Sequence, residues 1–134
     1  MPKRTVVLAI TGATLGQVSI LEIDSCANQT VIEMLENQEL PSEYIYFWTR
    51  YKINDIIGWQ TGGAQQHINK GNIENTFILL PEKEAMSKYY NIMHQIFEKI
   101  SVNCLESQTL SSLRDSLLPK LMSGKIRVPV EAWA

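Results

Sequence analysis

PEKEAMSKYYNIMHQIFEKISVNCLESQTLSSLRDSLLPKLMSGKIRV, residues 81–128, decides how this chain is organised. Met86, Tyr90, Met93, Phe97, Ile100 and Cys104 step by three or four, Ser107 and Gln108 interrupt, and Leu110, Leu113, Leu117 and Leu121 resume. Apolar residues at that spacing share one face of a helix. The segment therefore predicts a long two-part α-helix with a coiled-coil-like seam and a polar break in the middle. Helical throughout, residues 82–122 would span roughly 60 Å at about 1.5 Å per residue, longer than a small domain is wide. Each buried seam residue is worth roughly 1.5–3 kcal/mol, so leaving the distal leucines exposed would forfeit a large share of a marginal stability. The tail thus implies an assembly with another chain. Pro119 is expected to kink or end the helix by removing a hydrogen bond and crowding the preceding turn. Ser123-Gly124 completes the stop, and residues 125–130 look like an extended strap.

Working outward, the first third of the chain reads as strands. Residues 5–10 form a compact β-branched and apolar run, and residues 18–23 and 30–35 mix apolar with acidic residues in near-alternation, as half-buried strands do. Between the first two lies Thr11-Gly12-Ala13-Thr14-Leu15-Gly16, whose two glycines permit a tight turn, and Cys26-Ala27-Asn28-Gln29 supplies a second polar turn. Leu40-Pro41-Ser42-Glu43 carries the proline and acidic residue of a helix start. Tyr44, Phe47, Trp48, Tyr51 and Ile56 then recur until Gly58, a stripe expected to be a core face. Residues 59–71 are the least regular part, and Asn69 is placed to cap a short helical turn at residues 71–75. Residues 76–80 read as an apolar strand ended by Pro81.

Composition bounds the function. The 134 residues, 45% hydrophobic and 19% charged, fit one domain and an appendage. Twelve basic against fourteen acidic residues give a net charge of -2. That argues against a strongly basic nucleic-acid coat or a membrane-surface binder, although DNA binding depends on local charge placement. No apolar run approaches the roughly 20 residues of a transmembrane helix, and no signal peptide is evident. Cys26 and Cys104 lie far apart with no metal-ligand spacing, which fits buried or idle thiols in a reducing compartment. A cytoplasmic protein is expected.

Catalytic patterns are weak. Residues 6–16 look like the strand and glycine turn of short-chain dehydrogenases, but Val18 stands where the next glycine is needed, a strand follows where a helix should begin, and no Tyr-x-x-x-Lys pair appears. His67 and His94 are isolated from each other and from both cysteines, so no metal site is expected. His94 is expected to be a surface or interface histidine. The loop Gln65-Gln66-His67-Ile68-Asn69-Lys70 gathers amide, imidazole and ammonium groups that can reach base edges or phosphates. The same side chains can equally satisfy their own backbone in a solvated loop.

Four segments together resemble the specificity (S) subunit of Type I restriction-modification enzymes: ITGATLGQVSI (10–20), CANQTV (26–31), GGAQQHINKGNIENTFILLP (62–81) and SLRDSLLPKLMSGKIRV (112–128). They stand in the family's order and cover most of the chain. The resemblance implies an α+β fold. Residues 1–81 would form part of a target-recognition domain with a small sheet and helix, 82–122 a long helix for coiled-coil pairing, and 123–134 a C-terminal strap. It also implies a non-catalytic subunit of an enzyme complex that reads half of a split double-stranded DNA site. Its helix would hold the methyltransferase (M) subunit and, through the complex, the restriction (R) subunit, with DNA methylation as the shared outcome. S-adenosylmethionine and ATP belong to those partners, so no cofactor is expected here. Gln65, Gln66, His67, Asn69 and Lys70 become the first candidates for DNA contact, with Thr11 and Thr14 second. Met86, Tyr90, Met93, Phe97, Ile100, Leu110, Leu113, Leu117 and Leu121 become the helix-pairing interface of a homodimer. Against the family pattern, the chain begins at what resembles the middle of a recognition domain. Two alternatives stay open: a truncated helix-mediated interaction or regulatory protein that does not itself read DNA, and, least favoured, a small nucleotide-binding oxidoreductase.

Overall fold

Val6, Leu8 and Ile10 are buried while Val7 and Ala9 between them are half-buried, and this period-two pattern makes Val6–Ala9 (β1) a central strand. β1 pairs antiparallel with Val18–Ile20 (β2) on one side and Val31–Met34 (β3) on the other, giving the order β2-β1-β3. Leu8 stands opposite Val18 and Ile32 in the two ladders, so one sheet face is apolar across all three strands. The computed structural model describes residues 1–58 and 67–127. The chain divides into two units, Met1–Gln95 and Ile96–Ala134.

In the first unit, Ser42–Gly58 (α1) covers the sheet. Its N-terminus carries Glu43 in the first turn, and the Ser42 N–H donates to Glu36 Oε2 at 3.2 Å, satisfying one donor that a helix start leaves open. The face that is buried is Ile45, Thr49 and Ile56, with Ile53 and Ile57 half-buried beside them. Leu8, Ile10, Ile32, Ile56, Ile68 and Ile73 form the core. This corrects the expected aromatic core face: Ile56 is buried, but Tyr44 and Trp48 are half-buried and Phe47 and Tyr51 exposed, Tyr51 by 80%. Steps of three to five residues fit two neighbouring helical stripes, and the sheet selected the branched aliphatic one.

Lys70–Glu74 (α2) is the expected short helical turn, with Asn69 Oδ1 accepting from the Gly71 N–H at 2.9 Å. Residues 76–80 are not a strand, contrary to expectation. Among the described residues they pair with no strand, and Phe77 and Leu79 project into solvent. A run of strand-forming residues becomes a strand only where a ladder partner satisfies its backbone. Here the Leu79 carbonyl accepts instead from the Tyr44 hydroxyl at 2.7 Å.

Lys83–Met122 (α3) is one continuous helix, unbroken at Ser107 and Gln108. Its residues up to Gln95 belong to the first unit, where Tyr89, Met93 and His94 are half-buried and Tyr89 meets Tyr44 edge to face at 5.6 Å. In the second unit Phe97 and Ser101 are buried, Leu117 is half-buried, and Ile100, Leu110, Leu113 and Leu121 are exposed. Pro119 neither ends nor interrupts the helix, which runs on to Met122. Its missing N–H costs the Asp115 carbonyl one intrahelical donor, and Asp115 is exposed, so water can serve that carbonyl. The stop is Ser123-Gly124: Gly124 takes φ +72°, and its N–H donates to the Leu121 carbonyl at 3.1 Å. Residues 128–134, most of the expected strap, lie outside the described residues. The fold is α+β, as expected.

Candidate nucleic-acid interface

β1 leads directly into the glycine turn. Thr11 is extended, Gly12 takes φ +75°, and Gly12–Thr14 closes a single 3-10 turn whose Leu15 N–H donates to the Gly12 carbonyl at 3.1 Å. Gly16 then takes φ +81° beside Ile57 of α1, where a Cβ would lie 2.6 Å from Ile57 Cδ1. Only glycine meets both demands without strain. The Gly16 N–H donates to the Ala9 carbonyl at 2.8 Å, returning the chain into β2.

Against this turn the chain returns at His67. Thr11 and His67 form an isolated antiparallel bridge, and the Ile68 N–H donates to the Ile10 carbonyl at 3.0 Å. Ile10 and Ile68 are both buried, Ile68 to 1% exposure, while His67 is exposed and Thr11 half-buried. Thr14, Asn69 and Lys70 are exposed close by in sequence. Asn69 commits Oδ1 to its cap, which leaves the amide nitrogen as a donor; the paired acceptor and donor that an asparagine offers adenine is not available in that state. Lys70 Nζ lies 3.4 Å from Glu74 Oε1, an exposed pair that solvent screens strongly. The two segments therefore offer hydroxyl, imidazole, amide and ammonium groups in half-buried or exposed positions. Gln65 and Gln66, two of the first candidates, lie outside the described residues.

A buried ionic node was not legible in the sequence. Glu43, fully buried at the start of α1, pairs with Arg4 ahead of β1, and Ser42 Oγ donates to its second oxygen at 3.3 Å. His94 Nδ1 on α3 lies 3.4 Å from Glu43 Oε1, and the Tyr89 hydroxyl donates to the Glu43 carbonyl at 3.3 Å. Arg4 reaches this position with φ +74°, a left-handed backbone for a non-glycine residue. Burial first, then the neighbouring Glu43 carboxylate and Tyr44, pushes the Tyr89 phenol up from 10.0 to about 12. His94 is thus half-buried with its ring beside Glu43, and Tyr90 stacks on that ring at 5.0 Å. An acidic residue in a first helical turn ordinarily signals only a favourable dipole, so no local pattern marks Glu43 for burial. Among the described residues no group of three or more His, Cys, Asp and Glu could hold a metal, and both cysteines are free and exposed.

Residues 1–111 match the family model of the Type I restriction modification DNA specificity domain. The chain belongs to that family. Two curated relatives carry the same assignment. Over 85 residues the chain is 32% identical to the Type I restriction enzyme MjaIX specificity subunit of Methanocaldococcus jannaschii, covering 63% of this chain and 20% of the relative. Over 120 residues it is 30% identical to the Type I restriction enzyme HindI specificity subunit of Haemophilus influenzae, covering 85% of this chain and 26% of the relative. The chain therefore spans about a fifth to a quarter of the length of these relatives. The part of the chain assigned to the specificity domain includes the glycine turn, the bridge at His67, the Glu43 node and most of α3.

Proposed function

We propose that this chain is a non-catalytic DNA-recognition module of a Type I restriction-modification system. It reads part of a split double-stranded site at the rim formed by Thr11, Thr14, His67, Asn69 and Lys70, and it scaffolds methyltransferase subunits through α3. The observation that carries this reading is the match of residues 1–111 to a DNA specificity domain, taken together with the meeting of the glycine turn and His67 at one exposed edge. Exposed Leu110, Leu113 and Leu121 along the distal helix support pairing with a second copy, because leaving such a stripe in water forgoes burial worth roughly 1.5–3 kcal/mol per side chain. The restriction subunit joins through the same complex, and the setting is the cytoplasm. Among the described residues no helix is long and apolar enough to cross a membrane.

DNA binding measured against salt tests this directly. The log of the affinity should fall linearly with the log of salt concentration, with a slope of about -0.9 for each phosphate neutralised. A second reading, a helix-mediated interaction module that does not read DNA, draws support from the net charge of -2 and from the Glu74 carboxylate beside Lys70. Firm binding of a methyltransferase subunit beside equal, very weak affinity for every duplex would favour it.

A further inference from the structure

Thr11 and His67 are opposed in a particular way. In an antiparallel pair, a hydrogen bond from Ile68 N–H to the Ile10 carbonyl brackets the Thr11–His67 position, which makes it the non-hydrogen-bonded kind. Residues so paired have Cα atoms about 4.5 Å apart and side chains in close apposition on the same face. Side chains alternate along extended backbone, so with Ile10 and Ile68 directed into the core their neighbours Thr11 and His67 face outward together. The two residues are 56 positions apart in sequence, and the buried isoleucines beside them anchor the two segments where they meet.

We propose that Thr11 and His67 act as one specificity-determining pair that contacts a single base pair of duplex DNA, with Ile68 as the positioning residue that holds them in register. This rests on the DNA-reading function proposed above and names which of the rim residues discriminate. The chemistry suits one base step: the threonine hydroxyl donates or accepts, its methyl offers an apolar contact, and the imidazole presents one donor and one acceptor when neutral. Lys70, a flexible ammonium without a fixed plane, supplies attraction to phosphate and no base preference.

The test uses the full 134-residue chain and duplexes that the unaltered protein selects from a random-sequence pool. Each position of the selected duplex is then varied, and affinities are measured for Thr11→Val, His67→Gln and the double variant. Both single variants should relax preference at the same base pair, by about tenfold or more, and the double variant should lose no more than the more damaging single one. Ile68→Val, which keeps an apolar β-branched side chain in the core, should weaken discrimination by a few-fold at that same base pair while circular dichroism stays unchanged. Lys70→Gln should lower affinity equally for all duplexes and reduce the salt slope by about 0.9. Loss of preference at two different base pairs, or independent multiplicative effects of the two variants, overturns the pairing. If the unaltered chain selects no duplex at all, the DNA-reading function itself fails, and the pair with it.

Discussion

His94 Nδ1 lies 3.4 Å from Oε1 of Glu43, a carboxylate that also pairs with Arg4 and is fully buried. Three segments, the lead into β1, the first turn of α1 and the early part of α3, thus converge on one buried acidic side chain. Removing one member of a buried pair leaves an uncompensated charge, which costs far more than the pair contributes over an apolar substitute. Arg4→Ala should therefore destabilise the chain by about 3–5 kcal/mol in urea unfolding, whereas a joint replacement of Arg4 and Glu43 by Met and Leu should recover much of that loss. A cost below about 0.5 kcal/mol for Arg4→Ala would show that the pair is solvated in solution.

Tyr89 should give stability an alkaline limb. Its phenol is raised from 10.0 to about 12, so in this interval the folded state holds a proton that the unfolded state has lost. The sign follows from linkage: the stabilisation is fully present below about pH 10 and is lost as pH rises towards about 12. Denaturant midpoints measured from pH 9 to pH 12 should fall more steeply for the unaltered chain than for Tyr89→Phe, which lacks the ionising group. Parallel curves would contradict the assignment.

Gly12 and Gly16 should differ when replaced by alanine. Both take positive φ, which costs a residue with a Cβ about 1–2 kcal/mol. At Gly12 the new methyl meets nothing within 4 Å, whereas at Gly16 it comes 2.6 Å from Ile57 Cδ1 and must displace that side chain from the flank of the core. Gly16→Ala should thus cost about 1 kcal/mol more than Gly12→Ala in thermal or urea unfolding. Equal losses would mean that Ile57 rotates aside freely.

The distal helix should govern association without affecting the sheet. Leu110 and Leu113 are 56% and 51% exposed, so replacing both by Asp removes an apolar stripe at little cost to the isolated fold. Sedimentation at micromolar concentration should show a dimer for the unaltered chain and a monomer for the double variant. A strictly monomeric unaltered chain would remove the basis for pairing through α3.

The contrast between what the residues foretold and what the fold does has physical causes. β1, β2 and β3 fall within the expected runs, α1 ends at Gly58, Asn69 caps its turn, and the long helix spans residues 83–122. Those features rest on local chemistry: period-two burial, a cap at a fixed offset, and a sustained three-to-four step. The failures depend on partners remote in sequence. The stripe from Tyr44 to Tyr51 lost the core to Ile45 and Ile56 because the sheet faces the latter, and residues 76–80 found no ladder among the described residues. The rim was half legible: polar types marked the His67 to Lys70 segment, but only the fold brings Thr11 opposite His67. The Glu43 node depends on Arg4, 39 positions before it, and His94, 51 positions after it, which no local pattern encodes.

Sequence discrimination in DNA binding tests the central claim most directly. Affinity for a duplex selected from a random pool should be compared with that for a scrambled duplex of equal length across a range of salt concentrations. Specific recognition predicts at least about a thousandfold preference for the selected duplex, alongside a linear log-log salt dependence. Equal, very weak affinity for both duplexes at every salt concentration would contradict the account.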